Sequence, residues 1–172
     1  MTDIVIPYRI TSHTQELRYC LRSIDQYLTG VGHVYLIGDK PDWVHDVFHV
    51  KHSDHPDWRF KERNIHLKIM AACDEPTVSD SFLFMNDDHF LLETTEAATF
   101  PYLYGAALQY GKYRDTTVRN TWGILGSYAF FDIHCPILFA KKMYTDRLSR
   151  LDWDKPYGYS IKSVYCAMNR IQ

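Results

Sequence analysis

Residues 3–38 read DIVIPYRITSHTQELRYCLRSIDQYLTGVGHVYLIG, and their periodicity sets the fold class. Residues 3–6 are a short apolar run closed by Pro7, the pattern of a buried strand with a breaker behind it. Ser12 stands three residues before Gln15, which is the spacing of a capping box at a helix start. Leu17, Cys20, Leu21, Ile24, Tyr27 and Leu28 then recur at helical spacing, and Gly30 and Gly32 end the run. Residues 33–37 (HVYLI) form a second strand, ended by Gly38-Asp39-Lys40-Pro41. Strand, helix and strand in one stretch make a βαβ unit, which demands a parallel sheet.

Working outward, residues 47–50 (VFHV) read as a third short strand and 51–60 as a polar loop containing Pro56. A helix is expected over about 61–73, with Ile65, Ile69 and Ala72 or Cys73 inward. Residues 81–85 (SFLFM) are a strongly apolar strand, and two further apolar runs, 128–133 and 137–140, bracket Asp132, His134 and Pro136. Ile161, Val164, Tyr165 and Met168 keep helical spacing, so the last twelve residues read as a docked helix. The expectation is a single α/β domain over residues 1–172, with a mixed, mostly parallel sheet flanked by helices.

Composition narrows the function classes. Apolar residues make up 46% and charged residues 23% of the 172, which excludes a disordered or fibrous chain. The net charge of -2 excludes a broad basic field for nucleic acid. No apolar stretch approaches a bilayer span, and MTDIVIPYR has no basic n-region, so neither a membrane span nor a signal peptide is expected. Cys20, Cys73, Cys135 and Cys166 lack CxxC spacing and read as buried thiols in a reducing, cytoplasmic setting. His45, His49, His52 and His55 share no common face and read as a polar loop rather than a zinc site.

The most chemical segment is 82–92, FLFMNDDHFLL. Asp87 and Asp88 interrupt an apolar run at the expected C-terminal end of a central strand, where α/β sheets bind ligands. Two carboxylates there need a positive partner, and Mg²⁺ or Mn²⁺ suits hard oxygen ligands. The structural alternative is a turn in which Asn86 and Asp87 cap local backbone groups. Asp132 and His134 are two apart, so on a strand they share one face; His134 would complete the metal site and Asp132 would act as base. On the other reading His134 is a core histidine bonded to backbone and Asp132 caps a turn. Ser160 is the expected N-cap of the last helix, whose amide groups and Lys162 would bind phosphate, against the alternative of a solvated surface lysine. Arg9 and Arg63 are further candidates for the phosphates or for solvent. Residues 99–123 are rich in aromatics and carry Lys112, Arg114 and Arg119, so this stretch is either an acceptor site or ordinary packing on the sheet.

These features together resemble the nucleotide-sugar glycosyltransferases of GT-A type over roughly residues 3–140. Asn86-Asp87-Asp88 resembles the looser variants of that family's acidic metal motif. DIVIPYR is similar to its first strand and donor loop, and Asp39 to the acidic position facing the nucleoside. The resemblance implies a nucleotide-sugar donor, a UDP-sugar foremost, held by Pro7, Tyr8, Arg9 and Asp39. It also implies a divalent metal on Asp87, Asp88 and His134, a hydroxyl acceptor (a glycan or a hydroxylated DNA base), and Lys162 steadying the leaving diphosphate. A second resemblance is to Stealth-type sugar-phosphate transferases, through Asn86-Asp87-Asp88-His89-Phe90 and His134-Cys135-Pro136. A non-catalytic binding module on the same fold is the third possibility.

Overall fold

A computed structural model describes residues 1–11, 15–106 and 115–171. Seven strands and five α-helices are described: β1 (Thr2–Tyr8), α1 (Gln15–Tyr27), β2 (Leu28–Thr29), β3 (Val31–Gly38), β4 (Phe48–Lys51), α2 (Lys61–Asp74), β5 (Ser81–Phe84), β6 (Thr95–Glu96), α3 (Thr116–Leu125), β7 (Ile137–Ala140), α4 (Lys141–Leu148) and α5 (Ile161–Met168). The main sheet runs β4-β3-β1-β5-β7. All neighbours in it are parallel except β7, which lies antiparallel to β5. The protein is therefore α/β with a mixed, mostly parallel sheet, and β2 and β6 pair as a separate short ladder. Ser12, the expected cap of α1, lies outside the described residues, as do Tyr110, Lys112, Tyr113 and Arg114 of the aromatic stretch.

Every residue of β1 is buried, because the strand is covered on both faces. Ile4, Ile6 and Tyr8 pack with Leu17, Cys20 and Ile24 of α1. Val5 points to the opposite face, into a core shared with Ile69 of α2 and Val164 of α5. The same alternation places Tyr35, Ile37, Phe82 and Phe84 on the α2–α5 face, and Leu36 and Leu83 on the α1 face. Asp3 ties the strand starts together by accepting from the backbone N–H groups of His33 and Ser79, both at 2.7 Å.

Two expectations need correction. Pro7 does not end β1: the strand runs on to Tyr8, and Pro7 stays in register with Ile37. Val5 O accepts from Met85 N–H, so odd positions of β1 present their backbone to β5. At Pro7 that neighbour has already left the sheet, so the missing N–H of proline costs no ladder bond. Residues 128–136 are not a strand; they carry one isolated bridge, Gly105 to Phe130, and then a bend. Among the described residues no helix is long and apolar enough to cross a membrane. Cys20 and Cys166 are buried as expected, but Cys73 and Cys135 are only half-buried, and all four are unpaired thiols.

Candidate active site at the end of β5

The chain passes from β1 to β3 and β4 on one side and later returns to β5 on the other, so β1 and β5 flank the switch point of the sheet. A cleft of about 560 Å³ opens outside their C-terminal ends. Pro7 and Phe84 line its floor, Asn86, Asp87 and Asp88 one wall, and Glu62, Asn64 and Lys68 of α2 another. The gap that makes Pro7 tolerable in a central strand is thus also the gap that makes the cleft.

The turn after β5 is built around a histidine. Asn86 N–H donates to His89 Nδ1 at 3.1 Å, and His89 N–H donates back to Asn86 O at 3.2 Å. His89 is only 2% exposed and anchors the turn that carries the two aspartates. His134 arrives from the bend after Phe131, with its Nε2 3.1 Å from Asp88 Oδ1. Its ring stands edge-on to that of His89, with centroids 4.7 Å apart. Asp88, His89 and His134 offer ligand-type atoms within 4.8 Å of one another, the one such cluster among the described residues.

The three residues are not equivalent as ligands. A backbone N–H aimed at His89 Nδ1 places that ring's proton on Nε2, which makes His89 a donor there. Burial, with Lys162 and His134 nearby, lowers the His89 imidazole to about 3, so it stays neutral. Asp88 and His134 keep lone pairs for a cation, while Asp87 lies outside the close cluster but lines the same cleft. Burial pushes the Asp87 carboxyl above its usual range, and the adjacent Asp88 adds to this. A divalent cation would relieve both causes.

Asp132 and His134 do not share a face, because the chain bends between them. Asp132 turns to the start of α5, where it accepts from the N–H of Lys162 (3.1 Å), the N–H of Ser163 (2.9 Å) and the Ser163 hydroxyl. Ser160 occupies the N-cap position but makes no side-chain cap bond. The anion expected at this helix end is therefore the protein's own carboxylate, and its amides are not open to phosphate. Lys162 is not a solvated lysine, and it lines the cleft. It is 6% exposed and donates through Nζ to Ile133 O (2.9 Å) and Cys135 O (2.7 Å), so it clamps the bend that delivers His134.

The residue that sequence reasoning missed is Glu62. Its carboxylate accepts no hydrogen bond among the described residues, and burial, with Asp132 next in effect, raises it to about 7. Gly158 packs over it, its φ of +45° fitting the close approach: a Cβ there would sit 2.8 Å from Glu62 Cβ. A carboxylate that titrates near neutrality inside a cleft suits proton transfer. In sequence it stands between Lys61 and Arg63 and looks like one more charge on a solvated helix face.

Lys68, also missed, is a buried cation bonded to Tyr8 O and Asp54 Oδ2, both at 2.9 Å. Arg9 and Lys61 are exposed and line the same cleft. Three proposed donor contacts fall elsewhere. Tyr8 is buried against α1 on the other sheet face, Asp39 accepts from Ile10 N–H at 2.8 Å and shapes the loop after β1, and Arg63 pairs with Asp154 at 2.7 Å. His49 bonds Gly38 O and His55 packs on Phe60, and the histidines of 45–55 form no cluster with metal-ligand spacing.

No protein-family model matches the chain, and no curated protein matches it in sequence.

Proposed function

We propose that the protein is a metal-dependent glycosyltransferase of GT-A type, moving a sugar from a nucleotide-sugar to a hydroxyl acceptor. The observation that carries this reading is the Asp88–His134 pair, 3.1 Å apart, at the switch point of a mostly parallel sheet. Asp88 and His134, with Asp87 directly or through water, would hold Mn²⁺ or Mg²⁺. The metal supplies charge neutralisation of the departing diphosphate. Arg9 and Lys61 line the cleft as cations for the donor's phosphates. Glu62 replaces Asp132 as the base: it takes the acceptor's proton while the acceptor oxygen bonds to the anomeric carbon and the sugar–diphosphate bond breaks. Asp132 is left as the cap of α5, its oxygens already engaged.

One observation favours a second reading. The blocks that resemble Stealth-type transferases, 86–90 and 134–136, meet at the same point. In that reaction the bond broken lies within the diphosphate, and the phosphate travels with the sugar. Nucleotide-sugars of uridine, guanosine, cytidine and thymidine, incubated with and without Mn²⁺, separate the two by mass spectrometry. Release of nucleoside diphosphate only with metal supports the first reading. Release of nucleoside monophosphate from a diphosphate donor, with phosphate in the product, transfers the case to the second. No release and no nucleotide-induced thermal shift leaves a binding module.

A further inference from the structure

A second cleft of about 600 Å³ adjoins the first, and the two share Asp88 and His134 and nothing else. Its character is different. Phe90, Leu91, Leu92, Phe100 and Pro136 line it, with Glu93 and Thr95 at the side, and among the described residues it has no lysine or arginine. Leu91 is pinned by its N–H donating to Ser23 Oγ at 3.1 Å, while Phe90 and Leu92 remain 48% and 85% exposed. The Tyr19 ring stands edge-on to Phe90 at 6.4 Å and supports it from behind. Two large apolar side chains are thus held in water on an anchored backbone, which marks a surface waiting for an apolar ligand.

A polar signal lies in the same cleft. His89 lines it, is 2% exposed, and its Nε2 has no hydrogen-bond partner. Because Nδ1 accepts from Asn86 N–H, Nε2 carries a proton and lacks an acceptor. A buried donor without a partner is destabilising, so a ligand oxygen that meets it is favoured. The acidic Asp88 and Glu93 argue against that oxygen being anionic.

We infer that this second cleft holds the body of the acceptor and selects an uncharged hydroxyl compound with an apolar or aromatic body, one of its oxygens accepting from His89 Nε2 beside the Asp88–His134 pair while the reacting hydroxyl extends past that pair into the first cleft, which Glu62 lines. The inference rests on the transferase reading and narrows its acceptor. Nucleic acid is disfavoured, because a polyanion needs cations that this cleft does not present among its described residues.

Two measurements test it. The first is ligand-observed saturation-transfer NMR on the protein without donor, using methyl, hexyl and phenyl β-glucosides, which share a sugar and differ in body. Hexyl and phenyl glucosides are expected to bind at least about tenfold more tightly than methyl, as burial of that apolar area implies. Leu92→Asp, at an exposed position, should erase the difference. Equal signals for all three, or an unchanged preference in Leu92→Asp, overturns the inference whatever the donor does. The second measures transfer with the best donor. Phe90→Ala, at a residue that lines the second cleft and not the first, should raise KM for phenyl glucoside at least about tenfold with little change in Mn²⁺–nucleotide affinity, and an unchanged KM overturns the inference. Binding of phenyl glucoside with no turnover of any donor retains the cleft and rejects the transferase reading. Preferential modification of hydroxymethylated DNA over the glucosides rejects the inference and retains the transferase.

Discussion

Asp132 at the start of α5 and Asp88 at the end of β5 lie in places of opposite character. At the start of α5 the charged groups are engaged within the protein: Asp132 takes three donors, and Lys162 gives two bonds to backbone carbonyls. At the end of β5 the groups remain unfinished. Asp87 and Asp88 are neighbouring carboxylates, His89 Nε2 lacks a partner, and the side chain that meets Asp88 is His134. Buried polar networks that close on themselves hold structure, while those left open cost stability and persist for a ligand. The closed network also serves the open one, because Lys162 clamps the bend on which His134 rides.

Substitutions should separate the two, and the largest effect is expected at the open end. Asp88→Ala should lower transfer about 10³-fold, some 4 kcal/mol of barrier, by removing the stabilisation of departing charge. Asp88 is 40% exposed, so its melting temperature should hardly move. Loss of fold in this variant would collapse the distinction. Asp132→Ala should do the reverse. With three donors orphaned, urea denaturation should show a loss of about 2–4 kcal/mol, and the folded fraction should keep Mn²⁺ affinity within about tenfold.

Glu62→Gln sharpens the contrast, because a residue kept for function should be gained in stability when removed. The ordinary value of 4.5 is raised to about 7 in the folded protein. Below pH 4.5 both states are protonated and nothing is lost. As pH rises through 7 the unfolded chain ionises first, so wild-type stability falls across that window and then levels. At pH 8 the Gln variant should therefore be more stable by about 1–3 kcal/mol, without that slope, while turning over at least about 10²-fold more slowly. Equal pH profiles for the two proteins would remove Glu62 from the account. The smallest effect is expected at Arg63. Its pair with Asp154 is solvent-exposed, so Arg63→Ala should cost under about 0.5 kcal/mol and leave nucleotide affinity within about twofold.

Long-range partners explain what was and was not legible in the sequence. The βαβ start and the apolar strand before Asn86-Asp87-Asp88 were readable because period and run length are local properties. The cost of Pro7 depends on which neighbour its missing N–H would face, and in the β1–β5 register that position is 79 residues away. The shared face of Asp132 and His134 presumed a strand, and residues 131–135 bend instead. That Asp132 caps a helix 30 residues later, or that Glu62 lies under Gly158, leaves no periodic trace. His89 was visible in the motif, but its role came from a ring nitrogen aimed at its own turn, which only coordinates reveal.

The most direct test of the central claim is electron paramagnetic resonance of Mn²⁺ titrated with the protein and a nucleoside diphosphate. Free Mn²⁺ gives a sharp signal that disappears on binding. The account predicts that wild type and Arg63→Ala quench the signal of about one equivalent in the presence of one nucleotide, and that Asp88→Ala does not. No quenching with any nucleotide, or undiminished quenching in Asp88→Ala, would contradict the metal site at the end of β5.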